Sequence, residues 1–160
     1  MKDNKVLHFA KYFFIPSLFL TFLLSACSKD AVDLRKPLFS ITQPEYRSSK
    51  EDARCKTGGV YFDFYNKADS SVIYIEARMN VYDRETGGNA LTGLGTVIAD
   101  ISDRIKKGEK KEICIPLDEY ITVSKESGYY IDQFYISWIE YEDGKYWNDE
   151  LGLYAVKGRE

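Results

Sequence analysis

Three cysteines carry the most reactive side chains of this 160-residue chain. Cys27 ends an apolar stretch near the N-terminus, whereas Cys55 and Cys114 lie farther along, among polar and alternating residues. A cysteine thiol can be acylated, can form a disulfide or can bind a metal ion. Because structural zinc sites take four cysteine or histidine ligands, Cys55 and Cys114 are too few for a cysteine-only site. Acylation and disulfide formation are therefore the cysteine reactions to weigh against the rest of the sequence.

The only histidine is His8, which precedes Cys27. Beyond Cys27 the chain therefore lacks the base that Ser-His-Asp and Cys-His sites require. It also lacks a histidine ligand for zinc, copper or iron. We predict a protein that is not an enzyme, with no catalytic residue, no metal and no cofactor.

Carboxylates near the C-terminus are the other group with possible site chemistry. Oxygen-rich clusters can bind calcium, and paired carboxylates can hydrolyse glycosides. Their spacing matches no calcium-binding loop, Lys145 lies among them, and a chain this small offers no second layer to form a cleft. A solvated hairpin is the favoured interpretation of this set, which comprises Glu140, Glu142, Asp143, Asp149 and Glu150.

The N-terminal sequence has the order of an export signal. Residues 1–11 carry three lysines and one aspartate, residues 12–24 are mostly apolar, and Leu24-Ser25-Ala26-Cys27 follows. This order resembles a bacterial lipoprotein signal peptide with its lipobox. The resemblance implies removal of residues 1–26, lipid on Cys27 and anchorage in the cell envelope, at the outer membrane or cell surface rather than the inner membrane. An uncleaved anchor is the alternative, but the apolar run is shorter than the ~20 residues of a spanning helix.

Residues 27–37 are predicted to be the lipidated N-terminus and a polar tether, and residues 38–160 a single folded domain. Without residues 1–26 the chain has 134 residues, with 19 Lys and Arg against 24 Asp and Glu, a net charge of −5. This balance argues against a nucleic-acid partner, which would favour clustered cations. The predicted partners are membrane lipid, through Cys27, and another protein; the sequence specifies no oligomeric state.

From residue 38 onward, apolar residues alternate with a period of two. We predict an all-β domain, a seven-stranded antiparallel immunoglobulin-like β-sandwich, with a small closed barrel as the alternative. A single helical turn is expected between Leu117 and Ser127. The predicted strands are 38–43, 59–66, 72–82, 95–105, 110–116, 129–141 and 145–154.

The alternation also predicts which side chains face outward. On the sixth strand it places Phe134, Ile136 and Trp138 in the core. If the third, sixth and seventh strands share a sheet, its outer face gathers tyrosines and an arginine, the residue types that dominate protein interfaces. The alternatives are ordinary cross-strand tyrosine pairs and cover by residues 117–127. The predicted partner-binding residues are Tyr74, Arg78, Tyr82, Tyr135 and Tyr141.

Four segments of the chain resemble a known domain family. Val60-Tyr61-Phe62-Asp63-Phe64-Tyr65-Asn66 leads through a turn to Ile73-Tyr74-Ile75 and then to Met79-Asn80-Val81-Tyr82-Asp83, and Lys107-Gly108-Glu109 follows. This resembles the bacterial extracellular domain named FxLYD, with Met79 in place of Phe and Val81 in place of Leu. The resemblance implies an immunoglobulin-like sandwich, export and an adhesive or scaffolding role, and it brings no catalytic residues.

The same alternation brings Cys55 and Cys114 together. Extended backwards from Val60, it places Cys55 on the outward parity of the second strand, and Cys114 lies between Ile113 and Ile115 on the fifth. The second and fifth strands of such a sandwich are antiparallel neighbours, so both cysteines reach the same place on the same face. An oxidising compartment favours the bond; two separate thiols are the alternative.

These observations predict a membrane-anchored, exported lipoprotein that binds another protein through the tyrosine-bearing face. One alternative is a structural or assembly subunit of a cell-envelope complex. The other is binding of a small ligand or a carbohydrate on the aromatic face.

Overall fold

The computed structural model describes residues 36–93, 95–126 and 128–156. The predicted signal peptide, Cys27 and nearly all of the predicted tether lie outside these residues. The described chain is all-β, and within those ranges no helix is long and apolar enough to cross a membrane. Its eight strands are β1 Phe39–Ile41, β2 Glu45–Arg47, β3 Gly59–Asn66, β4 Val72–Asp83, β5 Val97–Ile101, β6 Lys110–Pro116, β7 Tyr129–Tyr141 and β8 Tyr146–Asn148.

The strands form two antiparallel sheets around one apolar core, as in a β-sandwich. In the first sheet β3 is central, with β6 on one edge and both β1 and β2 on the other. The second sheet has the order β5-β4-β7-β8. The inner faces meet where the Phe62 and Phe134 rings pack with centroids 4.8 Å apart. The predicted pairing of the second strand with the fifth, and the shared sheet of the third, sixth and seventh, are both confirmed.

The structure has eight strands where the sequence predicted seven, because the first strand is interrupted. Pro44 has no N–H to donate to a sheet ladder, so pairing with β3 stops after Ile41. Pairing resumes on the same edge at Glu45, opposite Tyr61, beyond the predicted first strand of residues 38–43. Residues 117–121 form one hydrogen-bonded turn, in which Ile121 N–H donates to the Leu117 carbonyl; this is the bond of the single helical turn expected between Leu117 and Ser127.

Asn66 joins the two sheets at one end of the sandwich. Its side chain is fully buried. Its amide nitrogen donates to the carbonyls of Ser70, at 2.9 Å, and Ile105, at 3.0 Å. Its amide oxygen accepts from the N–H of Ala68 at 3.0 Å. One side chain therefore fixes both the β3–β4 turn and the end of the β5–β6 connection.

Strand β7 contains an extra residue opposite β4. Glu76 pairs with Trp138, but the next residue, Ala77, pairs with Ile136. Ser137 is therefore a bulge, and its hydroxyl donates to the backbone carbonyl of Glu76 at 3.2 Å. A bulge of one residue reverses the inward and outward parity of everything beyond it.

The prediction that Trp138 belongs to the core is wrong for this reason. Trp138 faces outward and is half-buried, and Ile139 takes the core position with no exposed surface. Tyr141 also turns inward and is only 6 % exposed. The two predicted core positions just before the bulge are correct, since Phe134 and Ile136 are buried.

Substitutions at Ile139 and Trp138 should therefore differ in their effect on stability. Ile139→Ala leaves a cavity in the core and should lower the free energy of unfolding by about 2–5 kcal/mol. Trp138→Ala removes mainly ring stacking on an outer face and should lower it by less than about 2 kcal/mol. Urea unfolding followed by circular dichroism measures both. A larger loss for Trp138→Ala than for Ile139→Ala would contradict this register.

Candidate functional site

The outer side of the second sheet carries most of the candidate residues. Alternation along β4 buries Ile75, Ala77 and Met79, and it leaves Tyr74 and Arg78 half-buried on the other side. The bulge adds Trp138 to that side. We call this surface the aromatic face and define it by Tyr74, Arg78, Tyr82, Tyr130, Tyr135, Trp138 and Tyr146.

Four of the five predicted partner-binding residues share this face. Arg78 pairs directly with Tyr135 across β4 and β7, and Tyr74 and Tyr82 lie on the same side of β4. Tyr141 does not share it, because the bulge turns its side chain into the core. Burial raises the pKa of Tyr141 to about 12, and the described residues offer its hydroxyl no hydrogen-bond partner.

Stacked aromatic pairs lie at both ends of the face. Tyr82 and Tyr130 are 5.0 Å apart between ring centroids, with an interplanar angle of 18°. Trp138 and Tyr146 are 4.7 Å apart and nearly parallel, at 7°. Both pairs join neighbouring strands, so the cross-strand pairing given as an alternative does occur. Tyr146 nevertheless remains 57 % exposed, and its stack leaves aromatic surface open to solvent.

The segment proposed as a possible cover packs elsewhere. Tyr120 donates its hydroxyl to the Ile98 carbonyl at 2.9 Å, and Lys125 pairs with Asp83. These contacts place residues 117–126 beside β5 and at the end of the sandwich opposite Asn66.

Polar groups occupy the centre of the aromatic face. Arg78 Nε donates to Glu76 Oε1 at 2.9 Å, and this hydrogen bond raises the pKa of the guanidinium. Trp138 Nε1 donates to Glu140 at 3.2 Å. Glu76, Arg78 and Trp138 line a shallow concavity of about 350 Å³ together with Glu150. Charged groups thus lie beside the open aromatic surface.

An apolar border runs along the edge of the face after β8. The Asp149 carboxylate accepts from the N–H groups of Leu153 and Tyr154, both at 2.9 Å. A Cβ at Gly152 would lie 3.2 Å from the Tyr135 ring, so the segment rests against the face. Leu151 is 83 % exposed, Leu153 74 % and Tyr154 42 %. A concentration of exposed apolar side chains commonly marks an interaction site.

Sequence reasoning missed Leu151 and Leu153. They lie in Leu-Gly-Leu-Tyr, beyond Asn148, where the structure ends the last strand. The sequence signal for exposed apolar side chains was the pair of leucines on either side of Gly152, in a segment that could be read as a loop rather than as a strand.

The two cysteines meet on the first sheet, as predicted. Their sulfur atoms are 3.5 Å apart and both thiols are free. Cys114 pairs with Tyr61 across β6 and β3, and Cys55 Sγ lies 3.9 Å from the Tyr61 hydroxyl. The Arg47 guanidinium lies 4.4 Å above the Tyr61 ring. The shared location is therefore confirmed, and the disulfide itself stays a prediction.

The loop that carries Cys55 is held in place by Asp118. Its carboxylate accepts from the N–H groups of Lys56, at 3.1 Å, and Thr57, at 2.8 Å. Burial raises the pKa of Cys114 to about 11. Because the thiolate is the reactive form, Cys114 is a weak nucleophile at neutral pH.

Carboxylates of the set near the C-terminus, from Glu140 to Glu150, are used in ion pairs and in a backbone cap. Glu142 pairs with Arg104 and Asp143 with Lys145, while Asp149 caps the segment described above. No group of three or more His, Cys, Asp or Glu side chains in the described part of the chain is arranged to hold a metal ion.

No protein-family model, curated protein or solved structure matches this chain. The resemblance to the FxLYD domain therefore stays a prediction.

Protein secreted into an oxidising compartment should contain a Cys55–Cys114 disulfide, because only a small approach of the two sulfur atoms is needed. Mass mapping without reduction should recover the two cysteine peptides as one linked species. Reduction should then destabilise the fold by up to about 4 kcal/mol, since the bond closes a loop of about 60 residues. In Cys114→Ser, Cys55 should become alkylatable on denaturation. Two alkylatable thiols in denatured, unreduced wild-type protein would exclude the bond.

Proposed function

We propose that this chain is an exported, lipid-anchored, non-enzymatic lipoprotein whose immunoglobulin-like sandwich binds another protein through the aromatic face. The observation that carries the proposal is the combination on one sheet of open aromatic rings, Arg78 and a strongly exposed leucine border. Anchorage rests on Leu24-Ser25-Ala26-Cys27.

Strand order supports the immunoglobulin-like assignment. The sheet with β3 between β1/β2 and β6 corresponds to strands A, B and E of such sandwiches, and β5-β4-β7-β8 corresponds to C′, C, F and G. Tyr129 begins β7, the counterpart of strand F, and its hydroxyl donates to the Val123 carbonyl at 2.7 Å. A tyrosine at the start of strand F that bonds upstream backbone is the tyrosine corner of these folds.

A protein partner suits the size and chemistry of the face. Tyr74 and Tyr82 lie eight residues apart on β4, so the face extends about 26 Å along the strands. Tyrosine, tryptophan and arginine are the residue types that supply most of the binding energy in interfaces. Polar groups such as Glu76 and Glu140 provide hydrogen bonds at defined positions, and a typical protein interface contains about ten such bonds. A partner present at fixed stoichiometry would indicate the assembly-subunit role; a host polymer would indicate adhesion.

Carbohydrate binding is the second candidate, and the concavity beside Trp138 favours it. An aromatic ring bordered by Glu76, Arg78 and Glu150 offers both an apolar surface for a sugar ring and hydrogen-bonding groups for its hydroxyls. Trp138→Ala separates the two candidates. Loss of glycan binding with retained protein capture would assign the concavity to sugar.

Lipidation is tested by metabolic labelling with a fatty acid in an expressing bacterium. The wild-type chain should carry label, and Cys27→Ala should not, because the acceptor thiol is missing. Cys114→Ala is the matched control and should label normally. Equal labelling of Cys27→Ala and wild type would refute lipid attachment at Cys27.

The binding face is tested by capture of partners after mild crosslinking. Arg78→Ala combined with Tyr135→Ala removes two adjacent anchors and should reduce capture at least about tenfold, since such anchors contribute more than 1 kcal/mol each. The control is Arg54→Ala with Val123→Ala, an exposed cation and an exposed apolar side chain that belong neither to the aromatic face nor to the end where the chain enters the sandwich. Both variants should keep their melting transition. Undiminished capture by the folded Arg78/Tyr135 variant would place the site elsewhere.

A further inference from the structure

The chain enters the sandwich at the end where Asn66 joins the sheets. Lys67 N–H donates to the Leu38 carbonyl at 2.9 Å, and Glu142 N–H donates to the Ser71 carbonyl at 2.9 Å. The β3–β4 turn, the β5–β6 connection and the β7–β8 hairpin therefore converge around the start of β1. We call this surface the tether end and define it by residues 36–38, 66–71, 102–111 and 142–145.

The tether end has the opposite charge to the rest of the domain. The described residues contain fifteen Lys and Arg and twenty-one Asp and Glu. Eight of the cations but only five of the anions belong to the tether end, which gives it a net charge of +3. The remaining described residues have a net charge of −9. The domain is therefore electrically polarised, with its positive end where the chain enters.

Ion pairs within the tether end leave these cations able to bind other anions. Lys107 pairs with Asp69 at 2.5 Å and Arg104 with Glu142 at 2.6 Å, but both cations keep about 60 % of their side-chain surface exposed. Exposed ion pairs are weak because water and salt screen them. Lys107 and Arg104 can therefore exchange their carboxylates for phosphate groups at little free-energy cost.

Apolar side chains are exposed among the cations. Leu38 is 54 % exposed, Tyr65 38 % and, at the border of the end, Ile73 41 %. Cations mixed with exposed apolar and aromatic side chains are typical of surfaces that rest at the headgroup level of a bilayer.

We propose that the tether end docks on the anionic surface of a lipid bilayer. The inference rests on the proposed anchorage at Cys27. Only eight residues lie between Cys27 and Lys36, so even a fully extended chain, with nine Cα–Cα steps, would keep the tether end within about 32 Å of the lipid. Juxtamembrane cations gain about 1 kcal/mol each near an anionic surface, and the acidic remainder of the domain is repelled from it. Tethering and charge therefore select the same orientation.

Lysine protection tests the docking on the full lipidated protein. The protein is reconstituted on phosphatidylcholine vesicles and on vesicles that also contain phosphatidylglycerol. A membrane-impermeant amine reagent is added, and labelling of each lysine is read by mass spectrometry. Labelling of Lys67, Lys106 and Lys145 should fall at least about fivefold on the anionic vesicles, the ratio that corresponds to about 1 kcal/mol. Lys50 and Lys56, at the opposite end, should label equally on both.

Charge reversal supplies the matched variants. Lys106→Glu with Lys107→Glu should abolish the protection of Lys67 and Lys145. Lys50→Glu with Lys56→Glu makes the same change in net charge at the opposite end and should leave the protection intact. High salt should remove the protection without releasing the protein, because it screens charge and leaves the acyl chains buried.

The possible results separate docking from anchorage. Vesicle flotation with phosphatidylcholine alone reports the anchor: a chain that fails to float there refutes the anchorage, and lysine protection on anionic vesicles then judges the docking by itself. Equal labelling of the tether end on both vesicle types refutes the docking even if the protein floats. Equal protection of Lys50 and Lys56 also refutes it, since the orientation would then be random. Protection by soluble polyphosphate as strong as that by anionic vesicles would overturn the assignment to a lipid surface.

Discussion

The hydrogen bonds of Asn66 are the constraint on which the arrangement of this sandwich depends. Three backbone groups near the end of β3 and β5 turn inward, two of them buried, and one amide side chain satisfies all three. An unsatisfied buried polar group costs about 1–3 kcal/mol. A movement of either turn would break its hydrogen bonds to Asn66 and incur that cost. The two sheets therefore share one fixed corner, and the positions of β4 and β6 are both set from it.

Alternation alone predicted the inner faces wherever the strands are regular. Val60, Phe62 and Phe64 on β3 are buried as expected, as are Ile113 and Ile115 on β6. It failed where the backbone departs from a simple ladder. Serine is not a residue type that predicts a bulge, so the one at Ser137 could not be foreseen. Gln133, at a φ of +48°, is a second irregularity on the same strand. Such features follow from the fit between two twisted strands, which a period of two in one strand cannot encode.

The candidate site was predictable to the same extent. Tyr74, Arg78, Tyr82 and Tyr135 were placed together correctly because β4 is regular along the whole face and the bulge lies beyond Tyr135. Tyr141 was misplaced and Trp138 omitted because both follow the bulge. The cysteines were brought together correctly, although Cys55 lies in a loop rather than on an extension of β3. Hydrogen bonds from Lys56 and Thr57 to Asp118, remote in sequence, determine the position of that loop, and no local pattern reveals them.

Strands β4 and β7 extend away from the tether end, so the long axis of the aromatic face is perpendicular to any surface beneath that end. Both strands have one terminus at that end, so Trp138 and Tyr146 lie low on the face and Tyr82 and Tyr130 lie high. A molecule that contacts the whole face must stand beside the domain rather than on top of it. If the tether end docks on a membrane as we propose, recognition would be lateral, between neighbours in one membrane plane, and a height difference between them would decide which aromatic pair is engaged.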